Sequence, residues 1–177
     1  MAVVDSACEY VLVDVGAEGR QSDGGIFKNS KFGKALTDGN LNIPSLGVLP
    51  GTRTAVPYAF VEDEAFQRRR DIMRPFPEKH PEDERRVFNY RSSRARRYAE
   101  NTFGITAARW RIILRTVNLK PEHADYVVKT AYVLHNFLTV HNPLSEKCND
   151  HVDMYGNVVA GQWRRGIPDE VMENRVT

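Results

Sequence analysis

The first fifteen residues alternate short apolar runs with polar breaks: AVV, then DSACE, then YVLVDV. Two strands joined by a turn fit that pattern, with Asp5 and Ser6 as the turn-formers. A glycine-rich loop, GAEGRQSDGG, follows. Ser22 or Asp23 is then placed to cap a helix through IFKNSKFGKAL, on which Ile26, Phe27, Phe32 and Leu36 form a partial apolar stripe. The segment TDGNLNIPSLGVLPGTRTAVP is punctuated by Gly and Pro and predicts a long loop. AVPYAFVED predicts a buried strand ending on Glu62, Asp63 and Glu64, and EAFQRRRDIM a short helix. The prolines of RPFPEKHPED forbid a continuous helix there. A long helix opens near Glu84 and runs to about Arg109; another spans roughly Pro121 to Val140, with its proline at the first position. Ala124, Val127, Val128, Ala131, Leu134 and Leu138 recur along the second at helical spacing. Strands alternating with helices predict an α/β layered fold, in which chemistry gathers at the carboxyl ends of strands. Asp63 stands at such an end.

The chain has 177 residues, enough for one domain with a real core, assigned to residues 1–141. Residues 142–177 are polar and weakly patterned and predict a flexible tail, with Trp163 suited to dock onto the domain. No internal repeat is present. The net charge of +2 says little, but its distribution says more. Nine arginines and a single acid, Glu100, lie between Arg85 and Arg115, a local concentration of the kind found on nucleic-acid-binding surfaces. Cys8 and Cys148 show no metal-ligand spacing, which predicts a reducing compartment and excludes a disulfide framework or a cysteine-based zinc site. No apolar run approaches bilayer length and the N-terminus has no signal-peptide pattern, so a soluble intracellular protein is expected.

Carboxylates at positions 63 and 100 are separated by a connector and one helix. Two or three carboxylates converging on Mg²⁺ or Mn²⁺ is how phosphodiester-cleaving enzymes activate water and stabilise the leaving oxygen. Arginines around Glu100 would then face the flanking phosphates. Plainer readings stand beside this one. An acid among arginines also fits a solvated ion-pair network with Arg96 and Arg97 one turn away. An acidic triplet after a strand also fits the first turn of a helix. His135 and Asn136, among apolar neighbours, read as core residues, and Phe103 and Trp110 as packing groups.

In order along the chain, VDVGAEGRQSDGGIF, VPYAFVEDEAF, IMRPFP, FNYRSSRARRYAENTFGITAARWRI and AYVLHNF resemble the DDE endonuclease domain of PIF/Harbinger transposases and their domesticated relatives. The resemblance covers residues 2 to 140, and the stretch from FNYR to RWR is its most specific piece. It implies an RNase H-like mixed sheet flanked by helices, and metal-dependent cleavage and strand transfer on DNA. By position Asp63 matches the family's strand-end aspartate and Glu100 its helix glutamate. Asp23 matches a further acid of the metal site, while on capping preference alone a helix cap fits it equally well. Arg91, Arg94, Arg96, Arg97, Arg109 and Arg111 would contact DNA. A nuclear location and a Myb/SANT-like DNA-binding partner are implied in the same way.

Several positions depart from the family. Glu62 replaces the usual glycine before the strand-end aspartate, adding a carboxylate that could compete for metal or raise its neighbour's pKa. Gln67 and Arg68 replace a proline and a leucine, and Ser92 replaces a leucine that packs the arginine helix. The family's first catalytic aspartate, on a first strand resembling DGKHI, has no counterpart here, and Asp5 reads as a turn residue instead. The expectation is an N-terminally truncated, incomplete RNase H-like domain with impaired cleavage. The alternative is a catalytically inactive DNA-binding or protein-interaction module of the same descent.

Overall fold

The computed structural model describes residues 1–16, 22–67, 69–77, 83–116, 118–141, 151–152 and 157–161. Among these described residues the architecture is mixed α/β, with four helices and four small two-stranded sheets, consistent with an incomplete RNase H-like domain. The chain divides into two compact units, residues 17–96 and residues 2–16 together with 97–177.

The unit formed by residues 17–96 is built from α1 (Asp23–Asn29), α2 (Lys31–Thr37), four short strands and the first half of α3 (Asp83–Arg109). The single helix expected after the glycine-rich loop is two helices, because Ser30 adopts an extended backbone between them. Its hydroxyl donates to the Phe27 carbonyl (2.7 Å) and accepts from Gly33 N (2.8 Å), closing one helix and capping the next. The expected long loop carries a hairpin, β3 (Gly47–Val48) with β4 (Ala55–Val56). The expected strand AVPYAFV is broken after Val56 and resumes as β5 (Phe60–Val61). EAFQRRRDIM is not helical: it turns, and its end forms β6 (Ile72–Met73), parallel to β5. Phe27, Phe32, Leu36, Phe66 and Ile72 are buried. Edge-on ring contacts join Phe27 to Phe66 (5.6 Å) and Phe32 to Phe60 (5.1 Å). Tertiary packing of these aromatics, with Ile72 at 3 % exposure, draws the segment into a strand against its local helical pattern. Asn89 on α3 binds Phe76 through both backbone groups (2.8 and 3.1 Å), holding the proline-rich segment.

The second unit holds the predicted N-terminal hairpin, β1 (Ala2–Val4) antiparallel to β2 (Tyr10–Val13). Asp5 makes its turn, accepting from Ala7 N and Glu9 N at 2.9 Å each. The C-terminal half of α3, a 3₁₀ turn (Arg111–Leu114) and α4 (Pro121–His141) complete most of it, with β7 (His151–Val152) pairing β8 (Val158–Val159). The buried line of α4 is Ala131, His135 and Thr139, whereas Leu134 and Leu138 of the expected stripe are partly exposed. Polar residues turn inward because each finds a partner there. Asn136 pairs with the backbone N and O of Tyr10 (2.8 Å each), completing the edge of β2 as a strand would. Tyr10 packs on Phe103 and Tyr132, so Phe103 serves packing as expected. Cys8 is buried and unoxidised; Cys148, Trp163 and most of the tail lie outside the described residues. Among the described residues no helix is long and apolar enough to cross a membrane.

Candidate active site

The carboxyl end of β5 carries Glu62 and Asp63, and three local devices position them. Glu62 N donates to the Met73 carbonyl (2.9 Å), extending the parallel ladder one residue past Val61. Asp63 Oδ1 accepts from Ala65 N (2.9 Å), a side-chain turn that stops the strand. Arg74, from the IMRPFP motif, then donates to the Glu64 and Phe66 carbonyls (3.2 and 2.8 Å) and clamps that turn.

The first turn of α1 lies against the same turn. A β-carbon added at Gly24 would sit 3.2 Å from the Ala65 carbonyl oxygen, so the two backbones are in close contact. Ser22, not Asp23, is the N-cap of α1, accepting from Gly25 N (3.3 Å). Asp23 is the first helical residue, and its carboxylate is not consumed by capping.

The charges of Asp63 and Asp23 both reach the Glu62 carboxyl. Burial raises the Glu62 carboxyl to about 7, the charges of Asp63 and Asp23 add to the rise, and Arg96 opposes it. The sequence anticipated that Glu62 would disturb its neighbour; the structure identifies Glu62 itself as the disturbed group. Arg96, grouped by sequence with the phosphate-binding arginines, is half-buried and acts on this acidic group, its Nε buried with no hydrogen-bond partner among the described residues.

Glu62 makes stability depend on pH. Its folded pKa is raised, so its contribution is fully present below about 4.5 and lost as pH rises through about 7. Glu62→Gln is therefore expected to raise stability at pH 8 by roughly 1–2 kcal/mol, after allowance for solvent screening, and to change little at pH 4. Urea denaturation in EDTA at both pH values measures this, and equal effects at the two would contradict it.

Glu100 belongs to the second unit, on the C-terminal half of α3. It is exposed and makes no ion pair among the described residues, although Arg96 and Arg97 are one turn away in sequence. Arg91, Arg94 and Arg111 are exposed; Arg97 and Arg109 are half-buried. Ser92 is buried with its hydroxyl unpartnered among the described residues, the cost of replacing a packing leucine. His135 and Asn136 are engaged in structure, as read from sequence.

A hard divalent cation fits this donor set in kind. The donors are all oxygen and they repel one another, which is what an ion of that type relieves. Among the described residues no three His, Cys, Asp or Glu side chains are close enough to ligate one ion together. Mg²⁺ does not require that, since it commonly takes one or two carboxylates and fills its shell with water and substrate phosphate.

Residues 1–136 match the family model described as DDE superfamily endonuclease. No curated protein and no solved structure matches the chain. The match spans well over half of the 177 residues, and the chain belongs to the DDE superfamily endonucleases, as a nuclease domain of transposase descent.

Proposed function

We propose that this chain is a Harbinger-type DDE nuclease domain acting on DNA with Mg²⁺ or Mn²⁺. The observation carrying the reading is that the charges of Asp23 and Asp63 both reach Glu62 at the end of β5, in a chain of this family. Asp63 and Glu100 are the catalytic carboxylates that would hold the metal, and Asp23 is a further ligand. When bound, the ion supplies an activated oxygen nucleophile and charge stabilisation at the phosphate under attack. Glu62, buried beside Asp63, holds its proton near neutral pH and so limits the negative charge gathered there. Arg91, Arg94, Arg97, Arg109 and Arg111 meet backbone phosphates, and Arg96 divides its charge between them and the acidic group. Nuclear residence and a Myb/SANT-like DNA-binding partner belong to the same reading.

The lack of a three-carboxylate set among the described residues favours a second reading, a non-catalytic DNA-binding or protein-interaction module. Nicking of supercoiled plasmid separates the two. The nuclease reading expects nicking with Mg²⁺ and none in EDTA, reduced by about 100-fold or more in Glu100→Gln and in Asp63→Asn. Salt-sensitive binding with no nicking under any condition would establish the second reading instead.

A further inference from the structure

The first half of α3 has a side that the carboxylates do not use. Arg86, Val87, Tyr90, Arg91 and Arg94 fall along one arc of the helix at i, i+3 and i+4 spacing. Phe88, Ser92 and Arg96 occupy the opposite, inward arc. On the outer arc Tyr90 is 50 % exposed and Val87 48 %, a large apolar display for a helix with this much charge. The Arg94 guanidinium carbon lies over the Tyr90 ring, 5.9 Å from its centroid. Arg91 and Arg94 make no ion pair among the described residues; Arg86 is held by Asp83. An exposed ring flanked by two uncompensated guanidinium groups can contact a base and its phosphates together.

We propose that this side of α3 binds unpaired nucleic-acid bases, Tyr90 stacking on one base while Arg91 and Arg94 take the flanking phosphates. The proposal rests on the DNA-directed reading of the arginine helix and narrows its substrate to DNA with an unpaired segment. Phosphate contacts alone give a single strand no advantage, because the duplex carries its backbone charge at the higher linear density. A tyrosine ring does: in a duplex the base faces are already occupied by neighbouring bases, whereas a single strand offers them freely. The ring therefore adds affinity for single strands only.

The test is fluorescence anisotropy with the full chain in EDTA, using a labelled oligo-dT single strand and a random-sequence duplex over a salt series. EDTA keeps binding apart from cleavage, so absence of nicking leaves this result readable. Tyr90→Ala should weaken oligo-dT binding about fivefold or more and change duplex binding less than about twofold. Tyr90→Phe, which keeps the ring, should bind as the parent does. Arg94→Gln should weaken both forms and reduce the salt dependence by about one ion, with circular dichroism confirming that α3 is intact in each variant. Equal losses on single strand and duplex in Tyr90→Ala, no loss on either, or failure of Tyr90→Phe to restore binding would each overturn the proposal.

Discussion

His135→Ala is expected to destabilise its unit by about 3–4 kcal/mol, measured as a fall in the urea midpoint at pH 7.5. The ring is fully buried and both its nitrogens are used. Nε2 lies 2.8 Å from the Cys8 carbonyl, which can only accept, so Nε2 carries the proton. Nδ1 faces the Thr106 hydroxyl at 3.0 Å, whose single proton is shared with the Thr102 carbonyl (2.7 Å), and Thr106 also meets the Tyr10 hydroxyl at 3.0 Å. One imidazole thus joins the hairpin turn, α3 and α4. Truncation leaves a cavity beside the Tyr10 ring and strips the Cys8 carbonyl of its donor. A pH profile adds an independent readout. Burial, with the positive charge of Arg109, lowers the His135 pKa, so its contribution is present above about 6.5 and is lost as pH falls below that value. The variant should lack this acid-side loss. A midpoint within about 1 kcal/mol of the parent, with the acid limb retained, would show that the imidazole is not structural.

Gly33→Ala should cost about 3 kcal/mol in the other unit. Gly33 lies within α2, where alanine is ordinarily the better helix former by about 1 kcal/mol. The sign reverses here because a β-carbon would run into the Phe27 carbonyl oxygen at the end of α1, with the carbonyl carbon 2.8 Å away. That carbonyl is fixed by the Ser30 hydroxyl, and the Phe27 ring is packed between Phe32 and Phe66. Neither side can yield without undoing the Ser30 turn. Thermal unfolding followed by far-ultraviolet circular dichroism reads the effect, and an unchanged or raised midpoint would mean that α1 and α2 do not meet as closely as described. Since α1 places Asp23 against the Ala65 turn, Gly33→Ala should disturb the acidic group as well.

The elements legible in the residues were those whose signals are local. The 27-residue α3 and the 21-residue α4 carry helical spacing over many turns, and Pro121 marks the start of α4. The N-terminal hairpin was legible because Asp5 makes its turn with its own side chain. The misread elements were short and balanced between alternatives. EAFQRRRDIM has residues that suit a helix, yet the Arg74 clamp and the pairing of Ile72 with Phe60 join residues well separated in the sequence. The buried stripe of α4 was misjudged for a related reason. Hydrophobicity placed leucines inward, whereas the Cys8 carbonyl and the Thr106 hydroxyl waiting for His135 decided the facing.

Sequence alone determined the family, the two long helices, the strand-end position of Asp63 and the concentration of arginines on α3, because residue type and near-neighbour spacing carry these directly. Tertiary structure decided that Ser22 caps α1 in place of Asp23, that Asp63 and Asp23 act on Glu62, and that Arg96 opposes them there while Arg91 and Arg94 stay outside. Charge acts through space, and the distances that set its strength exist only once the chain has folded.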